Sequence, residues 1–197
     1  MTTLIIDSAL KQMYIALVKD NKVLFEKYEL GKNDHAKNIV ALVDLALSRN
    51  KMTVDNLDEI VCGVGPGSYT GVRMAVTIAK MIGSFKKVSV YPISSLFLMA
   101  SGTDGVVLST VDARRGNSFG AIIDTVNGKF IVNEGLYETA KLKEANYEIE
   151  VNEENFVVNP LRVIKYKADK VENIELLVPN YLRDTEAERN LHDKETN

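Results

Sequence analysis

Residues 57–73 read LDEIVCGVGPGSYTGVR: an apolar run, a turn of Gly65, Pro66 and Gly67, and the start of a helical pattern. The mainly apolar run EIVCGVG, bounded by turn signals, reads as a buried strand, placed over residues 57–64. The pattern after the turn has helical period and extends over residues 68–85. Downstream, residues 88–92 return to a strand, and Ser94 or Ser95 is placed to cap a further helix to Ala100. Upstream, residues 35–49 form a helix with Asp34 as its candidate N-cap. The chain opens with strand-like runs at residues 3–8, 13–19 and 22–29, the last two joined by a two-residue turn, Asp20-Asn21. Strands and helices in the order βββαβαβα predict a mixed sheet with helices on its faces, an α/β fold.

The small, polar stretch SGTDG at residues 101–105 marks a boundary. Beyond it, residues 106–112, 118–124 and 130–135 are again three strands, with Asn127-Gly128 as a turn signal. This repeat of architecture rather than of sequence predicts a duplicated two-lobe fold. The expected division is a first lobe over residues 1–100, a reduced second lobe over 101–184, and a polar tail over 185–197 that frays or adds one exposed helix.

Composition narrows the class of function. With 197 residues, 46% of them apolar and 26% charged, the chain has the makeup of a globular protein with a sizeable core. Its formal charge of −3 argues against binding a phosphate backbone unaided, so any nucleic acid is expected to be held mainly by a partner. The single cysteine, Cys62, lies inside the buried-strand run, which excludes internal disulfides and Cys-based zinc sites and fits a reducing cytoplasm. No export signal is visible, and no stretch approaches the roughly 18 apolar residues of a membrane span.

Few residues are placed to carry chemistry. Asp7 and Ser8 end the first strand, where a carboxylate and a hydroxyl face phosphates and metal in actin-like ATPases; an Asp at a strand end is equally an ordinary turn former. Gly65, Gly67 and Ser68 expose amides at the start of a helix, a possible anion site, but a sharp strand-to-helix turn needs the same residues. The pattern lacks the Gly-Lys-Ser/Thr ending of a phosphate loop. In the second lobe the matching turn reads Val111-Asp112-Ala113-Arg114-Arg115-Gly116, where bulky arginines stand in place of small residues. Asp7, Ser8, Gly65, Gly67, Ser68, Asp112 and Arg114 are accordingly assigned to a degenerate nucleotide cleft, and Arg114 and Arg115 are open between binding an anionic partner group and being solvated loop charges. His35 has Ile39 one helical turn on, not a second imidazole, so no histidine metal site forms. No Ser-His-Asp or Cys-His set assembles either.

The two helices of the first lobe carry more apolar surface than one sheet needs. At about 100° per residue, Met74, Ile78 and Met81 fall on one side of the second helix. Gly71, Ala75, Ala79 and Gly83, with Val72 and Val76 beside them, fall on another, leaving Arg73, Thr77 and Lys80 as a polar strip. In the first helix Ile39, Val40, Leu42, Val43, Leu45, Ala46 and Leu47 leave a strip equally narrow. Either the helices bury each other against the sheet, or the surplus forms a helical-bundle interface with another chain. The second reading places Ile39, Leu42, Val43, Ala46, Gly71, Val72, Arg73, Ala75, Val76, Ala79 and Lys80 at that interface.

The opening IIDSA at residues 5–9, the His35 helix, the block LDEIVCGVGPGSYTGVR, the following Ala75-x-x-x-Ala79-Lys80, the VDARRG turn and the late PNYLR together resemble the TsaB family, also called YeaZ. The pairing of GPGSYTGVR with VDARRG is highly specific, and the similarity spans nearly the whole chain. Ala9 stands where the family usually has Ser, Asn117 where it often has Glu, and the second lobe is shorter than usual. The resemblance implies a two-lobe actin-like ATPase fold with a degenerate cleft, no catalytic residues and no required cofactor, residual ATP or ADP binding aside. It further implies a non-catalytic partner of the TsaD transferase, whose metal-binding histidines this chain lacks. With the TsaE ATPase, such a subunit supports threonylcarbamoyl transfer to the adenosine beside the tRNA anticodon. The first two helices of the family form a bundle with TsaD, or a homodimer in its absence. The alternatives are an enzyme in its own right, kinase-like or protease, and a stand-alone homodimeric regulator.

Overall fold

The computed structural model describes residues 1–30, 35–86 and 88–182, with the backbone alone for residues 35–37. Asp34, the expected cap of the first helix, and the tail over 185–197 lie outside the described residues.

Near-continuous apolar runs, buried on both faces, form β1 (Thr2–Asp7) and β2 (Gln12–Lys19), and the more exposed β3 (Lys22–Leu30) completes the opening meander. Its second turn sits at Asp20 and Asn21, whose φ values of 49° and 61° supply the left-handed pair that matches the twist of the flanking strands. Helix α1 (His35–Arg49) leads through a 3-10 turn at Val54–Asn56 to β4 (Glu59–Gly63), which pairs parallel with β1. Helix α2 (Tyr69–Lys86) crosses back to β5 (Ser89–Ile93), parallel to β4, completing a five-stranded sheet in the order β3-β2-β1-β4-β5.

Beyond α3 (Ser95–Ala100), the strands β6 (Val106–Arg114), β7 (Asn117–Asp124), β8 (Lys129–Glu138) and β9 (Ile149–Asn152) form a second sheet in the order β8-β7-β6-β9. That order repeats the first sheet up to its fourth strand, with β9 parallel to β6 as β4 is to β1. Between β8 and β9, where the first lobe has the 15-residue α1, the second has the four-residue α4 (Thr139–Leu142). The fold is the two-lobe α/β architecture expected, with the second lobe reduced by a helix layer and a strand.

Two cores result. Along β1 and β2, Leu4, Ile6, Met13, Ile15 and Leu17 pack on α1 and α2, while Ile5, Tyr14, Ala16 and Val18 face a second core. That core surrounds α3 between the sheets, with Leu96 and Phe97 from the helix and Val107 and Ile123 from the second sheet. Helix α3 survives at six residues because all six are buried and the Ser94 hydroxyl accepts the Phe97 N–H.

After α5 (Pro160–Tyr166) the chain does not stay with the second lobe, to which the sequence reading assigns it through residue 184. It runs back along β5: Ala168 N–H donates to Pro92 O at 3.0 Å, Val171 N–H to Val90 O at 2.9 Å, and Asn180 N–H to Val64 O at 2.7 Å. The outer edge of β5 would otherwise present unpaired backbone groups, and this strap covers it. Among the described residues no helix is long and apolar enough to cross a membrane.

Candidate functional site

The strand-to-helix junction is a closed hydrogen-bonded knot. Asp7 is fully buried; its Oδ1 accepts the Ala9 N–H at 2.7 Å and its Oδ2 the Ser95 hydroxyl at 2.6 Å. Ser95 Oγ in turn accepts the Gly65 N–H at 3.0 Å, and the Ser95 N–H donates to Gly65 O at 2.9 Å. Ser8, also fully buried, donates from its hydroxyl to Gly71 O at 2.6 Å. At the start of α2 the Ser68 N–H donates to Ala9 O and the Gly71 N–H to Ser68 Oγ. Loss of water raises the Asp7 pKa from 3.8 to about 6, and the bonds from Ser95 and Ala9 hold it from rising further. Burial likewise pushes the Cys62 thiol well above its ordinary value, leaving it a poor nucleophile.

A cleft of about 810 Å³ lies between the lobes, walled by the β1–β2 turn, the start of α2 and the end of β6. Of the residues assigned to a nucleotide cleft, Gly67, Ser68, Asp112 and Arg114 line it. Asp7, Ser8 and Gly65 do not, and this corrects their assignment: their polar groups tie β1, α2 and α3 together behind the cleft wall. Arg114 and Arg115 are exposed at the β6–β7 turn with φ of 67° and 56°, a left-handed pair in a hairpin held by the Asp112 carboxylate accepting the Arg114 N–H at 2.8 Å. Among the described residues no cluster of three or more His, Cys, Asp or Glu side chains is placed to hold a metal ion.

The proposed interface residues divide sharply. Ile39, Leu42, Val43, Ala46, Gly71, Val72, Ala75, Val76 and Ala79 are all buried within the single chain. The small-residue stripe of α2 faces its own lobe, not a partner. A methyl added at Gly71 would stand 1.9 Å from Ser8 O, and one at Gly83 2.2 Å from Ile174 Cδ1. Lys80 is also engaged internally, donating to Glu175 O at 2.7 Å and Leu177 O at 3.1 Å. Only Arg73 projects as expected, its Nη1 2.6 Å from the Tyr69 hydroxyl, with Tyr69 stacked on Tyr181.

What α2 exposes is its other apolar side. Tyr69 is 48% exposed, Met81 54% and Phe85 81%, with Val40 of α1 alongside at 58%. Half-buried Met74 and Ile78 join Val40 and Tyr69 in a groove of about 380 Å³. Sequence periodicity separates the two sides but does not say which is inward. The usable signal is residue size: glycine and alanine at every fourth position permit close approach to the chain's own backbone.

The family model for the tRNA N6-adenosine threonylcarbamoyltransferase TsaD matches residues 28–166. The tRNA threonylcarbamoyladenosine biosynthesis protein TsaB of Bacillus subtilis (strain 168) is 34% identical over 131 residues, covering 65% of this chain and 57% of that protein. TsaB of Escherichia coli (strain K12) is 31% identical over 126 residues, covering 61% of this chain and 54% of that protein. The match thus spans just over half the length of these curated relatives. Among solved structures, YeaZ from Pseudomonas aeruginosa superposes with a TM-score of 0.75 at 17% identity, covering 92% of this chain and 99% of that one, which establishes the shared two-lobe fold. With the family model matched over most of its length, the chain belongs to the threonylcarbamoyltransferase-like family, in its TsaB/YeaZ branch.

Proposed function

We propose that this chain is a non-catalytic partner subunit in tRNA threonylcarbamoyladenosine synthesis, binding and activating the TsaD transferase together with the TsaE ATPase. The observation that carries the reading is the groove between α1 and α2, with Val40, Met74 and Ile78 as its apolar wall and exposed Met81 and Phe85 farther along α2, on a chain of this family. Exposed apolar surface of this kind is a common mark of a protein interface. The same face pairs two copies when TsaD is absent. The tRNA reaches the chain only through the complex, in keeping with its charge of −3. The work is done in the cytoplasm. No cofactor is required, and any ATP or ADP in the interlobe cleft is residual.

An enzyme in its own right is the less favoured reading, because it needs Asp7 at a reacting centre and Asp7 is 0% exposed, with both oxygens committed. The deciding experiment reconstitutes tRNA modification from TsaD, TsaE, tRNA, ATP and an activated threonylcarbamoyl donor, with this chain present, absent, or carrying Met74→Arg or Ile78→Arg. Modification is expected only with the wild-type chain, and the folded variants are expected not to co-purify with TsaD. Equal modification without the chain overturns the proposal.

A further inference from the structure

A further pocket, of about 720 Å³, is bordered by the strap, β8 and the start of α3, within the size range of small-molecule sites. Its walls are mostly apolar and aromatic: Phe97 from α3, Phe130 from β8, and Tyr166 and Val171 from the strap side. Phe97 stands 6.4 Å from Phe130 and 5.8 Å from Tyr166, centroid to centroid, so three rings gather at one place. Into this setting β8 places the Glu134 carboxylate. One oxygen accepts the Ser94 hydroxyl at 2.6 Å and the other the Asn180 amide at 2.7 Å.

Two bonds leave the carboxylate about half satisfied, since its oxygens together offer about four acceptor positions. No lysine or arginine lines the pocket among the described residues; the second charged group on its wall is another carboxylate, Glu172. A half-buried anion without a cation beside it, ringed by aromatic faces, complements one kind of ligand head. Burial raises the Glu134 pKa, with Ser94 and Asn180 drawing it partly back, as for a carboxylate lacking its counter-charge.

We propose that this pocket binds a small organic cation, an ammonium or guanidinium group on a compact apolar body, with the charge on Glu134 and the body against Phe97, Phe130 and Val171. Anions are rejected by the two carboxylates, and neutral isosteres lose the charge-assisted bond. The site is separate from the exposed side of α2, so it stands or falls independently of the partner-subunit reading.

The test titrates the wild-type chain with benzylamine, benzyl alcohol and benzoate, followed by amide chemical shifts. Benzylamine is expected to shift Ser94, Phe130 and Asn180 and to bind at least tenfold more tightly than benzyl alcohol, with benzoate not binding. Glu134→Gln keeps one acceptor oxygen for Ser94 or Asn180 and is expected to abolish that tenfold preference while a cooperative thermal transition is retained. Equal binding of amine and alcohol by the wild-type chain overturns the proposal even if the variant does not fold. So does the absence of shifts at those three residues.

Discussion

Asp7 shows how a residue that resembles a catalytic group in sequence becomes a structural one. Its position at the end of β1 was legible, but its burial was not, because the groups that enclose it, Gly63 and Ser95, come from two later elements. The placement has a pH signature. Below the ordinary value of 3.8 the carboxyl is protonated in folded and unfolded chains alike; above the folded value of about 6 it is charged in both, and burying that charge costs stability. Stability is therefore expected to fall as pH rises from about 4 to about 6, by up to about 3 kcal/mol for a shift of roughly two units. Urea denaturation across that window should show the decline in the wild-type chain and a shallower one in Asp7→Asn, Glu134 contributing a residual slope of the same sign. Identical slopes would mean that Asp7 is hydrated. At the same junction, Gly71→Ala forces a methyl against Ser8 O, where backbone has to move, and is expected to cost about 2–3 kcal/mol by the same measurement.

At the scale of elements, α2 was readable as a helix with two apolar sides, and its boundaries follow from the Gly-Pro-Gly turn and the strand that succeeds it. The direction each side faces was not readable, since periodicity is the same for an inward and an outward stripe. The structure settles it by depth: Ala75 and Ala79 are 0% exposed against the sheet, whereas Met81 and Phe85 meet solvent. Arginine at the two kinds of position should therefore act in opposite ways. Ala75→Arg buries an unpaired charge in the core and is expected to unfold the chain, seen as loss of the cooperative thermal transition. Met74→Arg replaces a half-buried side chain on the outer groove and is expected to change stability by no more than about 1 kcal/mol while abolishing association, read by light scattering for the self-pair and by co-purification for TsaD. A folded Ala75→Arg chain would reverse the assignment of the two sides.

For the whole molecule, the duplicated plan was legible because each lobe opens with three consecutive strand-like runs, and the sheets indeed share the order of their first four strands. The strap that joins them was not, because residues 167–182 mix charged and apolar residues without a period, and their partners lie along β5, far back in the sequence. What anchors the strap is a pair no local pattern reveals. Lys167 Nζ binds the carboxylate of Glu59, which is 4% exposed and also accepts the Thr3 hydroxyl at 2.8 Å, and the ammonium lies 3.9 Å from the centre of the Tyr91 ring. Removing one member of such a pair leaves the other charged and desolvated, which costs more than the pair itself contributes. Lys167→Met is accordingly expected to destabilise the chain by about 3 kcal/mol in urea denaturation, with Glu59→Gln in the same chain recovering most of the loss. Additive effects of the two substitutions would show that the ion pair does not anchor the strap, leaving that to its backbone bonds and to Lys80; a strong coupling would identify the ion pair as a link that returns the end of the second lobe to the first.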